Sequence, residues 1–142
     1  MTSPLPAFNF MVQWGGTRTG FAEVSGLSEE IGVIEYREGA DKSAAPMLVP
    51  GLKRPATVTL KRGILPADNE LFAWFATVLA GKAERRNVAI SLLDADHAPQ
   101  TTWKLSNAWP SALATSDLDA RANQIAIESL TVVCEGMTRE SA

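Results

Sequence analysis

The one place where several metal-ligating side chains fall together is the run Asp94-Ala95-Asp96-His97-Ala98-Pro99, which holds two carboxylates and the only histidine of the chain. Spaced oxygen ligands followed by an imidazole could hold a divalent cation. No second histidine and no downstream glutamate joins them, so the run falls short of the ligand count of a zinc or calcium site. Asp117 and Asp119 could share a proton as an acid/base pair, but two residues apart in a polar turn they are placed to cap or to solvate. Cys134 is the single cysteine and sits in an apolar run, where it reads as a small core residue. The sequence has no glycine-rich phosphate loop, nucleophile elbow or paired cysteines. Hydrolytic and redox mechanisms therefore have no residues to stand on, and we expect neither an enzyme nor a bound metal or cofactor.

Trp14, Trp103 and Trp109 could stack on bases. Nucleic-acid-binding barrels interleave aromatic with basic side chains, and here only Lys104 adjoins one of these indoles. Core packing is the better reading for Trp14 and Trp103. A net charge of −3 also opposes binding through a phosphate backbone. Charge is unevenly spread, however: residues 38–62 hold five basic and two acidic side chains in an otherwise acidic chain. Such a basic segment on an acidic body suits head-to-tail contact between identical copies, if Lys42, Lys53, Arg54, Lys61 and Arg62 are not simply solvated.

The elements that must position these residues follow from periodicity. Phe8, Phe10, Val12 and Trp14 alternate with polar neighbours, which predicts a strand. Gly15-Gly16 should then turn the chain into a return strand over about 17–23. Ile31, Val33, Ile34 and Tyr36 lie on both faces of the next strand, a hint of assembly. From Glu38 to Pro55 no period is sustained, and Gly39, Pro46, Pro50, Gly51 and Pro55 argue against a regular element. This segment holds Met47, Leu48, Val49 and Leu52, too apolar for a free linker, so it reads as a long inter-strand arm that orders against another subunit. Val58 and Leu60 mark a further strand.

A helix begins after Asp68, runs from Asn69 to Ala80 and stops at Gly81. Its apolar arc of about 160° exceeds the roughly 100° stripe that burial against one body requires. Leu71, Phe75 and Val78 face the core on this reading, and Phe72 and Trp74, at the margins, are candidate contacts. Val88, Ile90 and Leu92 open a second hairpin that turns at 94–99 and returns over 101–105. Asn107 to Ser111 should interrupt it, leaving Ala112 to Thr115 as a short edge strand. In the last strand the apolar parity switches between Ile127 and Leu130, which calls for a bulge near Glu128-Ser129.

Length and composition fit one domain over residues 1–142, with 46% hydrophobic and 20% charged residues. No apolar run approaches the roughly eighteen residues of a membrane span, so no membrane anchoring is expected. Met1 to Ala7 lacks the pattern of a secretory signal, so synthesis in the cytoplasm is expected.

A strand ending in Glu35-Tyr36-Arg37-Glu38-Gly39, an irregular segment with Pro50-Gly51-Leu52, and a strand closing on Thr59-Leu60-Lys61-Arg62-Gly63 form a recognisable pattern. With Ala22-Glu23-Val24-Ser25-Gly26-Leu27, Asn107-Ala108-Trp109-Pro110-Ser111, Ile125-Ala126-Ile127-Glu128-Ser129-Leu130 and Glu135-Gly136, it resembles the tail tube proteins of contractile phages and of related contractile injection particles. The resemblance runs in order over nearly the whole chain. It implies a mainly β fold, an antiparallel β-barrel or β-sandwich of two facing sheets with one packed α-helix and a long arm. It also implies a structural subunit that forms six-membered rings, stacked into a hollow tube. The surrounding sheath protein, baseplate and terminator proteins are its implied partners, and the lumen cargo is DNA or a protein toxin. The other reading is a baseplate-proximal or secreted ring protein of the type VI secretion kind. We expect Lys42, Met47, Leu48, Leu52, Lys53 and Arg54 of the arm to dock on acidic turns of an adjacent ring, with Asp94, Asp96, Asp117 and Asp119 as partners. The arm, with Ala44-Ala45-Pro46, is less polar than the family pattern suggests.

Overall fold

A computed structural model describes residues 3–40, 42 and 44–141 of the chain, so Met1 and Thr2 of the leader reading and Asp41 and Ser43 of the expected arm lie outside the described residues. The strands are β1 (Phe10–Gln13), β2 (Glu23–Ser25), β3 (Glu30–Tyr36), β4 (Met47–Arg54), β5 (Thr57–Gly63), β6 (Arg86–Leu93), β7 (Pro99–Thr115), β8 (Ile127–Val133) and β9 (Gly136–Ser141); α1 is Glu70–Leu79. All pairings are antiparallel. The fold is mainly β with one helix, as the resemblance implies.

The long strand β7 organises the body. Its first half pairs with β6 on one side and β9 on the other, and its second half pairs with β8. Two four-stranded sheets, β1–β6–β7–β9 and β7–β8–β5–β2, thus share β7. Their inner faces meet in one cluster: Val12, Val88, Ile90, Leu105 and Met137 from the first, and Val58, Leu60, Leu130 and Val132 from the second. The expected break at Asn107 to Ser111 does not occur. Pro110 is accommodated by a bulge, a register shift between Pro110 and Ala112 against β8, so the strand bends and continues. Residues 112–115 do run along an edge, paired to β8 on one side. The bulge expected near Glu128-Ser129 is absent, because β8 holds an unbroken register with β5 from Ile127 to Val133. Ile125 merely lies outside the strand, and Glu135-Gly136 passes into β9.

The return strand expected over 17–23 does not form. Val12 N–H donates to the Thr19 carbonyl at 3.2 Å, but β1 pairs with β6, and β2 pairs with β5. Trp14 takes the space a tight hairpin needs: it is fully buried, and its Nε1–H donates to the Arg18 carbonyl at 2.8 Å. The helix ends were well marked. Gly81 follows Ala80 with φ of +82°, the left-handed stop that glycine permits without strain. Leu71 is buried and Phe75 and Val78 are half-buried.

The largest departure lies in the arm. Met47 to Arg54 is a regular strand, paired with β3 as a separate two-stranded sheet. The prolines and glycines that seemed to forbid it are placed where a strand tolerates them. Pro50 stands beside a register shift, where Gly51 and Leu52 together oppose Gly32. At Gly51 a side chain would come within 2.9 Å of the Gly32 carbonyl oxygen, so only glycine fits the bulge. The arm is therefore a protruding β-hairpin.

Candidate subunit interface

Among the described residues the hairpin makes no substantial contact with any other element of its own subunit. Strand alternation puts Ile31, Val33, Pro50 and Leu48 on one of its faces and Ile34, Tyr36, Val49 and Met47 on the other. The large apolar side chains among them are exposed, and Leu52 at the bulge is 88% exposed. A lone two-stranded sheet is marginal in water and needs a further strand or a packed face to persist. Here two apolar faces are offered, and the described residues of the chain cover neither. The two-sided pattern of Ile31, Val33, Ile34 and Tyr36, read from sequence as a sign of assembly, thus lands on an element that the described residues of its own subunit leave bare.

The expected charged contacts are placed differently. Lys53 Nζ lies 3.8 Å from Glu29 and Arg54 Nη1 lies 3.2 Å from Glu30, so both cations already have partners at the hairpin base. Lys61 pairs with Glu23 at 3.2 Å. Arg62, counted with the basic surface, is 1% exposed and belongs to the core. Lys42 is exposed near the hairpin tip. Asp94 organises its own turn: its carboxylate accepts from the Asp96 and Ala98 N–H groups and from Gln100 Nε2 at 2.8–3.0 Å. The Ala98 N–H is the chief reason its pKa lies below the usual aspartate value. Asp119 accepts from the Arg121 N–H at 3.0 Å. Asp96 and Asp117 are exposed.

On the helix, Phe72 is exposed, as a contact residue must be, whereas Trp74 is not. Trp74 is 1% exposed, donates from Nε1 to the Glu84 carbonyl at 2.7 Å and lies 5.9 Å from the Trp14 ring. Its indole points inward because the two tryptophans and the Arg86 guanidinium, 4.9 Å above the Trp74 ring, close one end of the core. Its side chain is spent on the core of its own subunit.

Sequence reasoning missed the ionic centre of the body. Arg62 donates from Nε to Glu128 Oε1 at 2.9 Å and approaches Asp68 Oδ1 at 3.4 Å, while Arg18 reaches Asp68 Oδ2 at 3.3 Å. Its guanidinium carbon lies 5.3 Å from the Trp14 ring and 5.2 Å from the Phe21 ring. The signal was available, since Arg62 shares the parity of Val58 and Leu60. Partial burial raises the Asp68 pKa, but the Glu70 N–H bond and the charges of Arg62 and Arg18 outweigh it and hold the carboxyl below its ordinary value.

A cleft of about 410 Å³ lies on the first sheet between Asn87, Ala89, Lys104, Ser106 and Thr138. A cleft of about 320 Å³ at the hairpin base is lined by Lys53, Arg54, Ala56, Cys134 and Met137. Its cations are engaged with Glu29 and Glu30, and the thiol is buried with its pKa pushed up by that burial. Among the described residues no three potential metal ligands cluster, and no helix is long and apolar enough to cross a membrane.

A β-sandwich with a bare, two-faced hairpin belongs to the class of subunits whose structure is completed by assembly. The chain belongs to the T4-like virus tail tube protein gp19 family, which matches it over residues 6–138. It is similar to a chain of the PVC sheath/tube terminator of an extracellular contractile injection system, with TM-score 0.90 and 30% identity over 99% of both chains. A chain of the PVC sheath-tube complex in its extended state gives TM-score 0.89 and 30% identity over 98% of this chain and 93% of that one. Hcp1 from Flavobacterium johnsoniae shares the fold alone, at TM-score 0.58 and 14% identity over 95% and 97% of the two chains. No curated protein sequence matches. The protein is a tail tube protein of contractile injection systems, a structural component of a phage tail or phage-tail-like particle.

Proposed function

We propose that six copies form a ring and that rings stack into a hollow tube through the β3–β4 hairpin. The observation that carries this is the hairpin's exposure on both faces. Burying an apolar side chain of this size is worth about 1.5–3 kcal/mol, against about 0.2–1 kcal/mol for an exposed ion pair. Ile31, Val33, Ile34, Tyr36, Met47, Leu48 and Leu52 therefore dominate the joint. The charged candidates set register: Lys42 at the tip, and Lys53 and Arg54 exchanging from Glu29 and Glu30 onto Asp96 or Asp117 of an adjacent copy. Asp94 and Asp119 are weaker candidates, being held in their own turns, and Phe72 is a lateral contact of the helix.

Partners follow from the solved relatives, which come from a sheath-tube complex, a sheath/tube terminator and a baseplate. The tube is made in the cytoplasm, stands inside a sheath, starts on a baseplate and ends at a terminator. DNA or a protein toxin travels in its lumen, and the subunit's task is mechanical. The Hcp proteins, which share the fold, fit the alternative of a baseplate-proximal or secreted ring, but the tail tube reading is better supported. Electron microscopy of the purified protein tests the proposal: long tubes of sixfold rings are expected, and a monomer that persists at high concentration overturns it.

A further inference from the structure

A thioether is the apolar group that a mild two-electron oxidant turns into a polar one, so the place of each methionine decides what such an oxidant can do to the subunit. Of the four methionines in the sequence, Met11, Met47 and Met137 lie among the described residues. Met137 is buried in the core, and Met11 is half-buried on β1. Met47 is 65% exposed. It opens β4 directly opposite Tyr36 of β3, on the hairpin face that also carries Ile34 and Val49. Its sulfur is therefore open to solvent in the free subunit, yet it stands on the surface that stacking would cover.

None of its neighbours shares this chemistry. Ile34 and Val49 are saturated hydrocarbon, and the phenol of Tyr36 reacts with radicals and not with hydroperoxides. Cys134, the single thiol, is buried, and that burial pushes its pKa up and away from the thiolate form that peroxides attack. Oxidant chemistry at the hairpin thus converges on one side chain.

We propose that Met47 is an oxidation site that gates assembly: its sulfoxide, formed in the free subunit by a hydroperoxide, stops tube growth, and burial in the finished joint then shields the thioether. The proposal rests on the hairpin joint described above. In the reaction a sulfur lone pair attacks one peroxide oxygen, the O–O bond breaks as the S–O bond forms, and sulfur gives up the two electrons that the peroxide gains. The departing hydroxide takes the proton of the transferred hydroxyl and leaves as water. The product puts a strong S–O dipole where the joint offers hydrocarbon, and burying a polar oxygen without a partner is unfavourable in every copy of the ring. The Tyr36 hydroxyl on the opposing strand is engaged, donating to Glu38 Oε1 at 3.3 Å. Methionine sulfoxide reductases restore the thioether, so the gate is reversible. Tube growth is thereby confined to a reducing compartment, while a finished tube tolerates an oxidising one.

The test exposes the free subunit and intact tubes to the same dose of hydrogen peroxide, quenched with catalase. Oxidation at each methionine is read by peptide mass spectrometry, and tube growth by sedimentation. In the free subunit Met47 should oxidise ahead of Met11 and Met137, and in tubes it should be protected. The oxidised subunit should need a concentration about tenfold higher, or more, before tubes appear, the lower part of the range for burying an unpaired polar group. Reductases for both sulfoxide epimers should return growth to the untreated level. Met47→Leu keeps the apolar bulk without the sulfur and should grow tubes equally well before and after peroxide; Met11, Met137 and Cys134 remain in that variant, so any effect of theirs appears there. Normal growth of a subunit fully oxidised at Met47, or the same loss of growth in treated Met47→Leu, overturns the gate. Met47 oxidising as fast in tubes as in the free subunit overturns its protection by the joint. Failure of the untreated protein to form tubes would instead remove the tube reading itself.

Discussion

Arg62 and Glu128 stand directly opposite each other on β5 and β8, and the Arg62 Nε–H donates to Glu128 Oε1 across 2.9 Å. The guanidinium is 1% exposed, lies against the Trp14 and Phe21 rings, and has Asp68 as its second carboxylate. A buried cation is tolerated only while its counter-charges remain. Glu128→Gln, which keeps the shape and removes the charge, should cost about 3 kcal/mol. Replacing the whole pair, Arg62→Met with Glu128→Leu, should recover most of that, because an apolar pair of similar volume carries no desolvation penalty. Denaturant unfolding of the two variants checks this; a double variant no more stable than Glu128→Gln would mean that the pair acts through something other than charge compensation.

The same centre sets a pH dependence. The folded-state pKa of Asp68 lies below its unfolded value, so its contribution to stability is present above about 3.9, the ordinary aspartate value, and is lost as pH falls through the folded value. Glu70, whose carboxylate accepts from Thr17 Oγ1 at 2.8 Å and from the Thr17 N–H, is lowered in the same direction, chiefly by the hydroxyl bond. The melting temperature should therefore fall steeply below about pH 4. Asp68→Asn should flatten that acid limb while lowering stability at pH 7. An acid limb unchanged in the variant would place the titrating groups elsewhere.

Much of the body could be read from alternation, because each strand with one face in the core repeats its apolar residues with period two. Val58 and Leu60, or Val88 and Ile90, needed nothing more. The helix was equally plain from Asp68 to Gly81. What failed was reasoning from single residues against tertiary context. Proline and glycine at 50 and 51 argued against a strand, yet a bulge on a two-stranded hairpin absorbs both. β9 went unseen because Gly136–Ser141 has Met137 as its only large apolar side chain, as an edge strand can. Trp74 seemed marginal on a helical wheel, since a wheel does not know that Trp14 and Arg86 wait above it. The two-faced apolar pattern of β3 was the part of the assembly surface legible in sequence. The partners of Lys53 and Arg54 were not, because Glu29 and Glu30 reach them only through the strand register.

Hairpin substitutions separate assembly from folding. Leu52 is 88% exposed, so Leu52→Asp should change subunit stability by no more than about 0.5 kcal/mol. The same substitution places a carboxylate on the apolar joint, and tube growth should stop. Charge reversal of Lys53 and Arg54 is the milder test, because it also breaks the hairpin's own pairs with Glu29 and Glu30. Sedimentation with thermal unfolding of the same samples distinguishes the outcomes; tubes of normal length from Leu52→Asp would remove the hairpin from the joint.

A hairpin that joins neighbouring copies must be held at a fixed angle to the sandwich, and Gly26 is placed to do this. It links β2 to the segment that enters β3, with φ of +86°, and a side chain there would run into the Thr57 carbonyl oxygen at the start of β5. Gly81 has nearly the same φ, +82°, but open space around it. Gly81→Ala should thus cost only the left-handed strain of an alanine, about 1–2 kcal/mol. Gly26→Ala carries that strain and must also push β5 from β2, so it should be clearly the worse of the two. Because the displaced carbonyl belongs to the first residue of the strand that follows β4, tubes formed by any folded Gly26→Ala protein should be short or irregular. Equal melting temperatures for the two alanine variants would show that the junction yields without cost and that the hairpin's angle is set by the neighbouring copy instead.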